Sequence, residues 1–379
     1  LMGLAELRAE VFDNATRKES AYDVIAINMP WLGECVANDV LQPLTHHLKS
    51  SSINPLDFHP AIWATGSWDK THYGIPIYCT IEALALRKDL FEARKLQQPG
   101  NFEKVIQAAK ALHNPRRGMH GVVWNAARGM PVSHSFMFFM GDCGSPVINI
   151  PTPRLHLDYS QIKGEAMRPR VLSEAGRQTL KYMHELLTYS PPDILSIDWN
   201  RALEYFMSGQ SAMIYCWTMR AARFEYDIHS VVKRKVSYHS HPAGPGGTSL
   251  SPIGGFLLAV PASLPPERAH LAFEAISWMA SPAAMKEHVK NGIPAAPRFS
   301  VSADPEASAS TPIVSFVDKL AKQNRIQNWQ RPPVREYHVI EEILGEEIFS
   351  ALNGDCSDEQ ALTRSQNRID AAMRAAGYY

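Results

Sequence analysis

The chain has 379 residues, 45% of them hydrophobic and 20% charged, the composition of an ordinary globular protein and not of a disordered, collagenous or membrane-embedded one. Lysine plus arginine and aspartate plus glutamate each total 38, so the formal net charge is zero and composition excludes a strongly basic polyanion binder. At roughly 150 residues per domain the length fits two or three domains, or one interrupted pair.

Residues 4–12 carry Leu4, Leu7, Val11 and Phe12 at helical spacing. The run AYDVIAIN at 21–28 is β-branched and nearly all apolar, the pattern of a buried strand, and Pro30 and Gly33 end it. Residues 73–78 and 83–87 read as further strands, 89–96 as a short helix, and 102–112 as an amphipathic helix with Val105, Ala108, Ala109 and Leu112 on one face. A strand at 121–124 opens a region of helices at 174–188 and 200–208, followed by a buried strand at 212–216. The Pro/Gly cluster HPAGPGG at 241–247 suits a crossing between domains and precedes an apolar strand at 255–260. Helices at 266–279 and from Ser281-Pro282 to about Asn291 come next, then a loop at 305–312 and mostly helix to Tyr379.

No stretch approaches the ~20 apolar residues of a spanning helix. The opening residues show neither a basic leader nor a small-residue cleavage site. Five widely spaced cysteines, Cys35, Cys79, Cys143, Cys216 and Cys356, form no CxxC and are expected to be mostly buried free thiols.

Motifs for chemistry are sparse. GxGxxG at a strand-to-helix turn, the P-loop, HExxH and GxSxG are all missing, so neither a cofactor nor a metal is expected. His239 and His241 form an HxH that on a strand would turn both rings to one face, yet no third ligand stands nearby. The aromatics are more informative. Trp31, Tyr78, Trp124 and Trp217 each sit where a strand gives way to a loop, the crevice position of open α/β sheets. An aromatic face stacks on the C–H face of a sugar while neighbouring Glu82, Asn125 and Arg220 exchange hydrogen bonds with hydroxyls. Core packing is the competing reading for each.

These residues resemble a known family: the extracellular solute-binding proteins of ABC importers, in their carbohydrate-binding branch, broadly similar to maltose-binding protein. The likeness is carried by YDVIAINMPWLG at 22–33, YGIP at 73–76 with LRKDLF at 86–91, and FMSGQSAM at 206–213. It continues in PGG at 245–247 with Gly254 and Gly255, in GIPAAPR at 292–298 and in RPPVREY at 331–337. The resemblance implies an α/β, type II-like periplasmic binding protein fold of two lobes around a ligand cleft. The expected lobes are 1–121 with 250–298, and 122–249 with 299–379, hinged near Gly121 and at 244–251. Members of the family open with a strand, a helix and a second strand ahead of the region equivalent to 4–28. Here either an upstream segment precedes Leu1 or the first lobe is built without that strand.

On this reading the ligand-binding residues are Trp31, Tyr78, Glu82, Trp124, Asn125, Trp217, Arg220, Gly255 and Arg298. The implied partners are a carbohydrate or polyol and the membrane permease subunits of an importer, with no nucleic acid, in a monomer that is periplasmic or extracellular after lipid- or signal-directed export. A ligand-sensing domain of a regulatory protein with the same fold is the alternative, and an enzyme or metal protein using His239 and His241 is the third.

Overall fold

The computed structural model describes residues 3–151, 159–294 and 296–379. Two sheets organise it. In the first, the strands lie in the order Ile25–Asn28, Phe256–Ala259, Ile75–Pro76, both pairs antiparallel, with Asn28 opposite Phe256. In the second the order is Ile326–Gln327, Ser251–Gly254, Thr80–Arg87, Met213–Trp217, and Val236–His239 also pairs with Thr80–Arg87. The chain therefore passes between the sheets three times, at two neighbouring points from Pro76 to Thr80 and from Gly254 to Phe256, and again between Ala259 and Ile326. Thr80 lies opposite Gly254 in the ladder.

The sequence explains these crossings. TIEALALR at Thr80–Arg87 is buried along its whole length, as a strand covered on both faces must be. Gly255 turns the second crossing with φ +135°, where a Cβ would lie 3.1 Å from the Tyr78 carbonyl oxygen. Glycine alone adopts that setting at little cost.

The larger hydrophobic cluster reaches both sheets, taking in Ile25, Ile27, Leu257 and Ala259 of the first, while a smaller cluster packs on the first alone. Phe58, Ile75, Leu258, Phe273, Ile276, Val301 and Val314 belong to the smaller, and Phe136, Phe139, Tyr182, Tyr215, Leu344 and Ile348 to the larger, where it covers the second sheet. The strands divide between the two sheets differently from the lobe boundaries expected from the sequence. Residues 80–121 were expected in the first lobe, whereas strand Thr80–Arg87 pairs with Met213–Trp217 and Val236–His239 in the second. Helix Phe102–Leu112 follows it, with the Phe102 ring stacked 3.7 Å from that of Tyr182. Conversely Val301, Ala307 and Val314 pack in the first lobe's core, so 299–314 belong there at least in part.

The expected hinges move as well. A Cβ at Gly121 would meet the Ala109 carbonyl oxygen at 2.4 Å, and one at Gly247 the Asp142 carbonyl oxygen at 1.9 Å. Both glycines permit close packing inside the second lobe, and the crossings lie at 77–79 and Gly255 instead. Residues 305–312 are not a plain loop: Pro305–Ser310 is helical because Asp304 caps the amides of Glu306 and Ala307 and Pro305 presets the first turn. Residues 120–123 make isolated bridges, Val123 to Ile214 among them, without forming a strand. All five cysteines are free, four of them buried.

Candidate functional site

Arg331 stands where the lobes meet. It follows the short strand Ile326–Gln327 and precedes Pro332 and Pro333, which stiffen the backbone around it. Its Nη2 donates to the Ile253 carbonyl at 3.1 Å, beside the second crossing, and its Nη1 to Asn28 Oδ1 at 3.4 Å, at the end of a first-lobe strand. The guanidinium lies over the rings of Trp217 (5.1 Å) and Phe138 (5.8 Å). It is 5% exposed, and its Nε has no hydrogen-bond partner among the described residues. One side chain thus touches the first lobe, the crossing and the second lobe. With Arg331, the residues Met29, Pro30, Thr65, Ile253, Asn328 and Pro333 line a half-open gap of about 10 Å³, close to the least that admits a water.

Helix Met130–Asp142 supplies the neighbouring wall. Almost every residue of it is buried, and it packs against helix Tyr337–Leu352, whose Gly345 would place a Cβ 2.6 Å from Gly129 Cα. That approach brings His134 Nε2 to 2.6 Å from Glu341 Oε1, with the Tyr337 hydroxyl donating to the same oxygen at 2.8 Å. Burial lowers the His134 pKa against the pull of Glu341. Burial acts to raise Glu341, but the hydrogen bonds from His134, His338 and Tyr337 override it and bring its pKa down to about 2. His134 is therefore a neutral imidazole donating from Nε2 to a carboxylate, which leaves Nδ1 as an acceptor. That Nδ1 is buried and unpartnered among the described residues. The Trp199 ring lies 5.6 Å away, its indole nitrogen also buried and unpartnered.

Behind Trp217 runs a second polar chain. Asn125 Nδ2 donates to Glu82 Oε1 at 3.2 Å, Glu82 Oε2 lies 3.4 Å from His241 Nε2, and His241 Nδ1 is 2.9 Å from Asp142 Oδ2. Burial opposes the charge on His241, yet Asp142 and Glu82 carry its pKa up to about 9. Burial also raises Asp142, to about 6. His239 takes no part, its Nε2 being 3.0 Å from Ser237 Oγ. The two imidazoles of the HxH thus have separate partners, and among the described residues no group of three or more His, Cys, Asp or Glu could hold a metal ion.

The residues singled out from sequence fall into two sets. Tyr78, Glu82, Trp217 and Gly255 gather at the crossings: Trp217 is opposite Glu82 in the ladder, and a Cβ at Gly254 would lie 2.6 Å from Trp217 Cζ3. Arg220 is near enough to act electrostatically on the Tyr78 phenol, and it hydrogen-bonds Asn200, which adjoins Trp199. Asn125 stands behind, holding Glu82. Trp31 is 2% exposed, within the core beside the end of the first strand.

Trp124 and Arg298 fall outside this group. Trp124 has no exposed surface and its Nε1 donates to Ser190 Oγ at 3.1 Å, so it is a core indole. Arg298 lies over Phe58 at 4.0 Å, donates to the Ala280 carbonyl at 2.8 Å and pairs with Asp57 at 3.0 Å, within the first lobe. Sequence reasoning passed over His134, Trp199, Arg331, Tyr337 and Glu341. Two signals for them existed: a lone histidine inside the apolar run MPVSHSFMFFM, and Tyr337 and Glu341 at helical i, i+4 spacing directly after RPPVRE.

Comparison with known proteins places this architecture. A solute-binding protein of an ABC transporter from Agrobacterium radiobacter, solved in complex with ribitol, is 25% identical and superposes with a TM-score of 0.88 over 98% of this chain and 90% of its own. A mannitol-binding protein of Pseudomonas aeruginosa is 23% identical over 98% of this chain and 85% of its own length. A probable amino-acid ABC transporter periplasmic-binding protein of Sinorhizobium fredii is 24% identical over 85% and 70%. The family model of bacterial extracellular solute-binding proteins matches residues 9–286. With its two sheets and paired crossings, the chain belongs to the bacterial extracellular solute-binding proteins.

Proposed function

We propose that this protein is the substrate-binding component of an ABC importer, taking a sugar or polyol into the cleft between its lobes and passing it to membrane permease subunits outside the cytoplasmic membrane. The observation that carries the reading is that Arg331 Nε, on the side chain that bridges the lobes, and His134 Nδ1 and Trp199 Nε1, whose rings are 5.6 Å apart, are buried without hydrogen-bond partners among the described residues. A buried polar group without a partner costs roughly 1–3 kcal/mol, so three of them favour a bound molecule rich in hydroxyls. Ribitol and mannitol, bound by the relatives, have that chemistry.

The ligand set we propose keeps Tyr78, Trp217, Arg220 and Gly255 at the crossing and adds His134, Trp199 and Arg331. Glu82 and Asn125 support Trp217 from behind, and Trp31 adjoins the first lobe's edge of the cleft. The protein acts as a monomer without turnover of its ligand and without nucleic acid, its lobes closing about 77–79, Gly255 and the segment before Arg331. A thermal-shift screen of sugars, polyols and amino acids tests the reading. A ligand at a hundred times its dissociation constant adds ~2.7 kcal/mol, and solution scattering should then show compaction. A screen in which no sugar or polyol stabilises the protein contradicts it.

A further inference from the structure

The most exposed apolar side chains of the described residues fall in three places, and the charges beside them differ. Leu56, 89% exposed, adjoins Asp57. Leu271 and Trp278 lie on helix Pro266–Met279, with Glu267 and Glu274 each four positions before them. The third place is DIHSVVKRK at 227–235 in the second lobe. There Ile228 is 83% and Val231 53% exposed, and Lys233, Arg234 and Lys235 follow as the only run of three cations in the chain.

This segment is held in place. Asp227 Oδ1 accepts from the His229 amide at 3.0 Å, the Ser230 hydroxyl donates to the Phe224 carbonyl at 2.7 Å, and the Val231 amide donates to the Met207 carbonyl at 3.0 Å. Val232 is wholly buried, and both carboxylate oxygens of Glu225 accept the Arg234 amide at 3.0 Å, where Arg234 has φ +61°. Buried Ser230 and Val232 thus anchor a loop that keeps Ile228 and Val231 in water. The acidic neighbours are engaged elsewhere: Asp227 pairs with Arg223 at 2.8 Å and Asp89 with Arg87 at 2.6 Å. Lys235 Nζ donates to the Val231 carbonyl at 3.0 Å, and none of the three cations has a carboxylate within ion-pair distance among the described residues. A chain of zero net charge therefore carries a local positive excess beside exposed aliphatics.

Aliphatic side chains alone would suit any apolar partner. Beside unanswered cations they suit a surface that is negative above and apolar beneath, the layering of a bilayer with anionic headgroups. Protein interfaces draw on aromatic and arginine anchors seated in pockets. Here Ile228 stands on a turn and Val231 on a bend, and neither lines the groove that Arg223 and Tyr226 form with Lys290, Asn291 and Gly292. We infer that residues 228–235 dock the second lobe on an anionic lipid bilayer, with Ile228 and Val231 entering the headgroup boundary and Lys233, Arg234 and Lys235 facing lipid phosphates. The inference rests on the transport reading for its setting, the outer face of the cytoplasmic membrane, where such docking keeps the protein beside its permease.

Flotation of the chain with phosphatidylcholine vesicles, with and without phosphatidylglycerol, tests it. Binding to the mixed vesicles should exceed binding to phosphatidylcholine alone by about tenfold or more, and should be lost in about 1 M salt, where the screening length falls to about 3 Å. Lys233→Gln, Arg234→Gln and Lys235→Gln together should lower the partition roughly a hundredfold, about fivefold for each cation, and Ile228→Ser with Val231→Ser about tenfold. All of these side chains are exposed, so the unfolding midpoints and the D-mannitol affinity should stay those of the native chain. A native chain that ignores anionic vesicles overturns the inference, the cations then facing an acidic protein surface. Equal binding to both kinds of vesicle overturns the part given to the cations, and native-like partition of the Ile228 and Val231 variant overturns the part given to the aliphatics. The two readings fail separately: vesicle binding without binding of any sugar or polyol sinks the transport reading, and sugar or polyol binding without vesicle binding sinks the docking alone.

Discussion

Two buried arginines, each lying over aromatic rings and each donating to a main-chain carbonyl, behave as opposites in this molecule. Arg298, over Phe58, has its charge answered by Asp57 and holds a first-lobe segment against the Ala280 carbonyl. Arg331, over Trp217 and Phe138, has no carboxylate within ion-pair distance among the described residues, bonds both lobes through Asn28 and Ile253, and keeps Nε without a partner. Burial and stacking are common to both. On the function proposed above, what separates a structural arginine from a ligand-facing one is the satisfaction of its donors.

That contrast gives its own means of breaking. The largest effect belongs to the satisfied, closed side: Trp124→Ala should cost about 3–5 kcal/mol in urea unfolding, because the cavity it leaves is lined by a rigid core, while ligand affinity of the folded fraction stays unchanged. A Trp124 variant of normal stability and lost affinity would return that indole to the cleft. Arg298→Met should follow at about 3 kcal/mol, the cost of leaving a partly buried Asp57 without its cation, again with binding intact. On the open side the order reverses, and Trp217→Ala should weaken binding by about 1–3 kcal/mol with a smaller loss of stability, read by calorimetry beside unfolding.

The smallest expected effect is electrostatic. His241, charged between Asp142 and Glu82, has a folded-state pKa raised from 6.5 to about 9. A raised pKa means that its stabilisation is complete below pH 6.5 and is lost as the pH climbs through about 9. The fall in unfolding midpoint between pH 6.5 and 9 should accordingly be steeper in the native chain than in His241→Asn. Equal slopes would show that the imidazole does not carry the proton there.

Much of this fold can be read from the chain alone, and the failures have particular causes. The buried strand over 80–87 and the amphipathic helix over 102–112 announce themselves through an unbroken apolar run and a 3.6 period. Helix Met130–Asp142 does not, because it is buried all round and has no polar face to set a period. The lobe boundary at 121 was misplaced for a related reason: Gly121 and Gly247 look like hinges in sequence, but they serve close backbone packing within one lobe. The true first crossing, 77–79, runs straight from one strand into the next. Among the proposed site residues, Trp217 and Tyr78 stand out in the sequence as aromatics where strands give way to loops, with Glu82 as a polar neighbour. Arg298 and Trp124 were misassigned because only their partners in space, Asp57 and Ser190, show them to be satisfied. His134 and Glu341 are about two hundred positions apart in the chain, and no local pattern joins them.

The central claim is that Arg331 holds a hydroxyl-rich ligand between the lobes. Calorimetric titration of the native chain and of Arg331→Met with D-mannitol, run beside urea unfolding of both, tests it most directly. Loss of about tenfold or more in affinity, at least 1.4 kcal/mol, exceeding any loss of stability, is the result this account predicts. Unchanged affinity in a variant that has lost several kcal/mol of stability would make Arg331 a second Arg298, and would contradict it.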